Sequence, residues 1–142
     1  MTNEEISIGS KCELAVSLLK TFYSLHISNK DGIQHYLELQ KDKILLALSK
    51  ALESSYIFNK LKGAKLFRIL CMNNFFNTEE LKGILAFIRI EYRKQSNNLE
   101  FIRDMLLEIL DISNKYPYEV QEVFAEDIQT QYNDFTEMRN KN

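Results

Sequence analysis

Apolar residues recur at helical spacing along nearly the whole chain, so the pattern predicts helices almost throughout. In the first segment Cys12, Val16, Leu19, Tyr23 and Ile27 form one stripe, and Leu14, Leu18, Phe22 and Leu25 a second. Two stripes predict a helix covered on both sides, central in the fold or at a subunit contact. Ser28–Asn29–Lys30–Asp31 breaks this helix and offers a cap. Residues 30–56 read as one long helix, or as two joined near Gln40. Its buried stripe is Ile33, Leu37, Ile44, Leu48 and Leu52, with Lys41, Lys43, Lys50 and Glu53 left in water. A shorter helix between Tyr56 and Asn74 carries Leu61, Ala64, Phe67, Leu70 and Cys71.

The sharpest boundary follows. Asn77 is placed to cap a helix, Glu80 to return the hydrogen bond, and Phe76 with Leu81 to bracket the cap as a hydrophobic staple. That helix carries Leu81, Ile84, Leu85, Ile88 and Tyr92 and ends near Gln95, where Ser96–Asn97–Asn98 reads as a loop. Asn97 with Glu100 predicts a second capping box. Leu99, Ile102, Leu106, Ile109 and Ser113 then align, beside Phe101, Met105 and Ile112. Pro117 either opens a new helix at its first turn or kinks a continuing one. Val120, Val123, Phe124, Ile128, Tyr132 and Phe135 carry the period onward. No alternating strand pattern and no internal repeat stands out. The expected architecture is a single all-α domain over residues 1–142, with about six helices.

Composition supports this. The 142 residues are 45% hydrophobic, enough for one substantial core, and four Gly and one Pro are too few for a many-turned sandwich or barrel. Net charge is −2, which offers no general attraction for nucleic acid. The charge is uneven: residues 75–142 hold 13 acidic and 8 basic groups, and no Lys or Arg lies between Tyr116 and Met138. MTNEEISIGSK lacks the basic and apolar regions of a signal peptide, and no apolar run reaches the ~20 residues of a membrane span. A cytoplasmic protein is expected. Cys12 and Cys71 form no CxxC; free, buried thiols are expected.

Chemistry is sparse. His26 and His35 stand nine residues apart with no further ligand at metal spacing. Glycines 9, 32, 63 and 83 stand singly, so no phosphate-binding loop is present. No carboxylate pair or nucleophile–base set stands out, and no enzyme is expected. The notable feature is apolar. LFRILCMNNFF (66–76) and ILAFIRIEY (84–92) supply Phe67, Leu70, Cys71, Phe75, Leu85, Phe87 and Ile88. Two such helices could enclose a tunnel for an acyl chain or another hydrophobic ligand. Arg68 and Arg89 stand among these residues, and a partly buried arginine calls for an anion: a side-chain carboxylate, chloride, or the acid head of a ligand.

Three segments carry a family resemblance: YLELQKDKILLALSKAL (36–52), KLFRILCMNNFFNTEELKGILAFIRIEYRK (65–94) and LLEILDISNKYPYEVQEVFAEDIQTQYNDF (106–135). Over roughly 100 residues the order of helix types and caps resembles the haem-less sensor-globin domains of Bacillus. These include the sensor domains of sporulation histidine kinases and the free-standing, plasmid-encoded sporulation-inhibitory proteins. The resemblance implies a globin-like fold without haem, and a fatty acid bound in the apolar tunnel. It also implies a homodimer through the last two helices (Ile102, Leu106, Ile109, Val120, Phe124, Ile128) and interference with a sporulation sensor histidine kinase. The inventory adds that no histidine follows His35, so a His-ligated haem on a late helix has no ligand.

A second expectation is a helical protein-interaction module without a small ligand. KGAKLFRILCMNN (62–74) resembles a core helix of armadillo repeats, and an acidic last helix suits a toxin-immunity protein.

Overall fold

The structure, a computed structural model, describes residues 3–25, 35, 37–95 and 97–125. They are helical nearly throughout: α1 Asn3–Leu25, α2 Lys41–Glu53, α3 Ile57–Met72, α4 Thr78–Lys94 and α5 Leu99–Lys115. Residues 117–125 are helical again. No strand occurs among the described residues, as expected for an all-α chain.

The central helix is α3, not α1. Asn59, Lys60, Gly63, Ala64, Leu66, Phe67, Ile69, Leu70 and Cys71 of α3 are all buried, and α3 packs on α1, α2 and α5. A helix buried on nearly every side must sit inside the bundle. In α1, Cys12 and Leu19 of the first stripe are buried, but Leu14 and Leu18 of the second are 59% and 57% exposed. The two stripes are equally apolar, so periodicity alone could not tell which one the bundle would cover. Phe22, Tyr23, Leu25 and Ile27 fall outside the described side chains, as do the Ser28–Asp31 breaker and Ile33.

Small residues set the closest approaches. A Cβ on Gly63 would stand 3.0 Å from Ala51 Cβ, so α2 and α3 nearly touch there. A Cβ on Gly9 would stand 2.5 Å from Asn59 Oδ1, so α1 meets α3 just as closely. Asn59 cannot simply turn away. Its Nδ2 donates to the Glu5 carbonyl at 2.8 Å and to Ser54 Oγ at 3.2 Å, which holds the start of α1 against the α2–α3 turn.

Lys60, 4% exposed, donates to the Leu52 carbonyl at 2.9 Å and to Glu91 at 2.8 Å. The ammonium thereby meets one carbonyl of the last turn of α2 and a carboxylate of α4. Glu91 also receives Lys94 at 3.1 Å. Burial pushes the Glu91 carboxyl up, but the two lysines outweigh it and hold the group below its ordinary range.

The α3–α4 corner is built locally. Asn74 adopts φ 56°, the left-handed region that Asn tolerates better than most residues. Phe75 N–H donates to the Leu70 carbonyl and Asn74 N–H to the Cys71 carbonyl, the paired bonds of a Schellman ending. Asn77 then opens α4 with the expected capping box: Glu80 N–H donates to Asn77 Oδ1 at 2.8 Å, and Asn77 N–H to Glu80 Oε1 at 3.1 Å. The Asn77 N–H, with Lys41, keeps Glu80 ionised below the ordinary range.

The second capping box is corrected by one residue. Asn98, not Asn97, caps α5 and accepts from Phe101 N–H at 3.0 Å, which puts Glu100 one position short of the place where it could reciprocate. The register follows the buried stripe, which is Phe101, Met105, Ile109 and Ile112. Leu99 and Leu106 of the other stripe are 76% and 38% exposed. The long-helix reading of residues 30–56 breaks at Gln40, which caps α2. Tyr116 ends α5, and its carbonyl accepts from Val120 N–H at 3.1 Å, so Pro117 opens a helix at its first position rather than kinking one.

Replacing Lys60 by Ala takes the buried donor from both the Leu52 carbonyl and Glu91 and should cost ~3–5 kcal/mol. Replacing the exposed Lys94 should cost under ~1 kcal/mol; urea unfolding of both variants checks the contrast. Glu91 and Glu80 have folded pKa values below their unfolded ones. Their contribution is therefore present above about pH 4.3 and lost as pH falls through the folded values, which acid titration of the melting temperature would show. Gly83 lies mid-helix with open space beyond it, so Gly83→Ala should stabilise by ~0.5–1 kcal/mol, whereas Gly63→Ala should destabilise; thermal melts read both signs.

Candidate binding groove

The expected tunnel residues are core. Phe67, Leu70 and Leu85 are 0% exposed, Cys71 and Ile88 1%, and Phe75 6%. A side chain lining an open tunnel keeps surface that a water-sized sphere can touch; these have almost none. Phe67 packs on Phe76 with ring centroids 5.3 Å apart, and Phe76 on Phe75 at 4.9 Å. The space assigned to a guest is filled by the chain's own side chains. Phe87 is the exception: half-buried, it borders a cleft of about 260 Å³ between α2 and α4 with Leu45, Leu48, Leu52 and Ile84.

The anion expected beside Arg68 is a carboxylate of the chain itself. Its guanidinium pairs with Glu108 of α5, with Asp111 at 3.8 Å, and so fastens α5 to α3. Arg89 is half-buried on α4 and has interactions of its own.

Of the residues expected at a dimer contact, Ile109, Val120 and Phe124 are 5–9% exposed and belong to the protomer's own core. Phe124 stacks on Tyr92 with centroids 6.0 Å apart. Ile102 is half-buried, and Leu106 faces outward. Ile128 lies outside the described residues. The outward side of α5 instead carries Leu99, Leu106, Leu107 and Leu110.

The open apolar space lies elsewhere. Cys12 of α1 contacts the Ala47 carbonyl of α2, and Glu5 of α1 accepts from Ser55 Oγ just beyond α2; the two helices therefore run antiparallel. Toward the end of α1 and the start of α2 they part into a groove of about 360 Å³. Ala15, Leu18 and Leu19 form one wall, Lys43, Ile44 and Ala47 the other, with Gln40 at one end, and Leu66 of α3 completes the lining. Small residues bring the backbones together at Gly9 and Gly63. Farther along, the contact residues become Leu19, Ile44 and Leu66, and the gap opens.

Sequence reasoning missed this groove. The signal was present, since Leu14 and Leu18 lie off the buried stripe of α1. Reading both as covered concealed it.

Among the described residues no group of three or more His, Cys, Asp or Glu side chains is placed to hold a metal, and no helix is long and apolar enough to cross a membrane. Comparison with known proteins adds no relative: no family model matches the chain, nor does any curated protein or solved structure.

Both thiols are buried and free. Burial pushes Cys71 up to about 12 and Cys12 to about 11, the latter despite Lys62 nearby. Neither thiol should react with a disulfide reagent at neutral pH until the chain is unfolded; release of the coloured thiolate before and after denaturant tests this.

Proposed function

We propose that this chain is a non-catalytic binding module whose working surface is the α1–α2 groove. The observation that carries the reading is the groove itself: an apolar channel of about 360 Å³ with Leu18 57% exposed on its wall. Large apolar side chains left at a concave surface mark binding sites on soluble proteins. The reading needs no catalytic group. An anilinonaphthalene sulfonate dye titrated into isotope-labelled protein should shift the amides of Ala15, Leu18, Ile44 and Ala47 first. Leu18→Glu should abolish those shifts while leaving the circular dichroism melt intact. Shifts confined to other regions, or no binding, would overturn it.

A second reading keeps the hydrophobic-ligand sensor that the family resemblance implies, and moves its site. Lys43 lines the groove and could pair with a carboxylate whose chain lies along Leu18, Leu19 and Ile44. Such a haem-less domain of globin-like type would inhibit sporulation by titrating the signal of, or interfering with, a sporulation sensor histidine kinase. A homodimer under this reading would meet through Leu99, Leu106 and Leu110, the exposed side of α5. Its distinguishing result is laurate binding that weakens about tenfold, 1.4 kcal/mol, in Lys43→Met.

A further inference from the structure

The two lips of the α1–α2 groove share one pattern. On α1, Lys11, Leu14 and Leu18 follow one another at spacings of three and four; on α2 and the residues before it, Leu39, Lys43, Leu46 and Lys50 do the same. Such spacing sets each series along one side of its helix. The leucines are strongly exposed, Leu39 at 68% and Leu46 at 57%. All three lysines are exposed, and none makes an ion pair among the described residues. Among the described residues no carboxylate lines the groove. Of the acidic groups here, Glu5 accepts from Ser55, Glu13 pairs with Lys62 of α3, and Glu53 borders the α2–α4 cleft; Glu4, Glu38 and Asp42 are exposed and are not among the residues that line the groove.

Shape and charge together narrow the occupant. Two antiparallel helices with a leucine floor leave the seat that a third helix takes in a bundle. A small ligand is normally enclosed over most of its surface, whereas here exposed leucines, Leu14, Leu39 and Leu46, continue beyond the residues that line the cavity. An occupant that covers the lips as well must be long, apolar on one side, and negative along both edges to meet lysines on each lip. Resting on the binding-module reading above, we propose that the α1–α2 groove docks an acidic amphipathic helix of a partner protein.

The probe is a fluorescent 16-residue helical peptide with leucines at i, i+3, i+4 and i+7 and glutamates on both flanks. It is compared with the same peptide carrying lysines on the flanks, and binding to the full chain is read by anisotropy. The glutamate peptide should bind at least tenfold more tightly than the lysine peptide. Lys43→Glu/Lys50→Glu should reverse that order without altering the melt, and Leu18→Glu should weaken both peptides. Equal affinity for the two peptides, or a reversal that fails, overturns the acidic partner while leaving an apolar groove in place. Dye binding at the groove without peptide binding also overturns it and leaves the site to a small ligand. Neither dye nor peptide binding removes the underlying reading too. Two further outcomes overturn the proposal by naming another occupant. One is binding to phosphatidylglycerol vesicles, but to neither peptide, that depends on the same lysines. The other is self-association, seen by sedimentation velocity, that Leu18→Glu abolishes.

Discussion

One buried ammonium ties the bundle together. Lys60 reaches the Leu52 carbonyl of α2 and the Glu91 carboxylate of α4 from within α3, so three helices meet on a single charge. A charge in that position is tolerated only because its partners are in place, and their placement fixes how α2 and α4 lie against the central helix. Its neighbour Asn59 fixes α1 by the same logic with neutral hydrogen bonds. Together they anchor one end of the α1–α2–α3 contact, and the glycines at 9 and 63 let the backbones close there. The groove exists because that closure is confined to one end.

The site is therefore a consequence of packing rather than a cavity inside it. Away from the Lys60–Glu91 pair, the side chains at the α3–α4 corner answer one another: Phe67 meets Phe76, and Phe76 meets Phe75. Arg68 behaves in the same self-contained way, spending its charge on Glu108. Whatever the chain binds must be met on the outside of the bundle, where α1, α2 and α5 still show leucine to water.

The features legible in the sequence are those decided within a few residues. Asn77 and Glu80 form their box because both partners lie within one turn, and Pro117 starts a helix because its missing N–H is harmless there. The Asn74 ending could have been read from Asn-Asn-Phe-Phe, an asparagine followed by an apolar residue where a helix must stop. Features decided across the fold were not legible. Lys60 sits among Lys62 and Lys65 with nothing local to mark it as the buried one, since its partner is 31 residues away. In α1 and α5 two apolar stripes compete, and only the arrangement of neighbouring helices decides which is covered. The family resemblance placed Ile109, Val120 and Phe124 at a subunit contact, whereas they are buried within the protomer; the competing stripes hid the groove that the uncovered stripe of α1 helps to form.

The closed surroundings of Cys12 and Cys71 have a practical consequence. A new cysteine set on a groove lip would be the one accessible thiol among the described residues. A spin label or fluorophore could then be attached there by ordinary maleimide chemistry, with both native residues retained. Distances across the groove could be followed in a chain that is otherwise wild type.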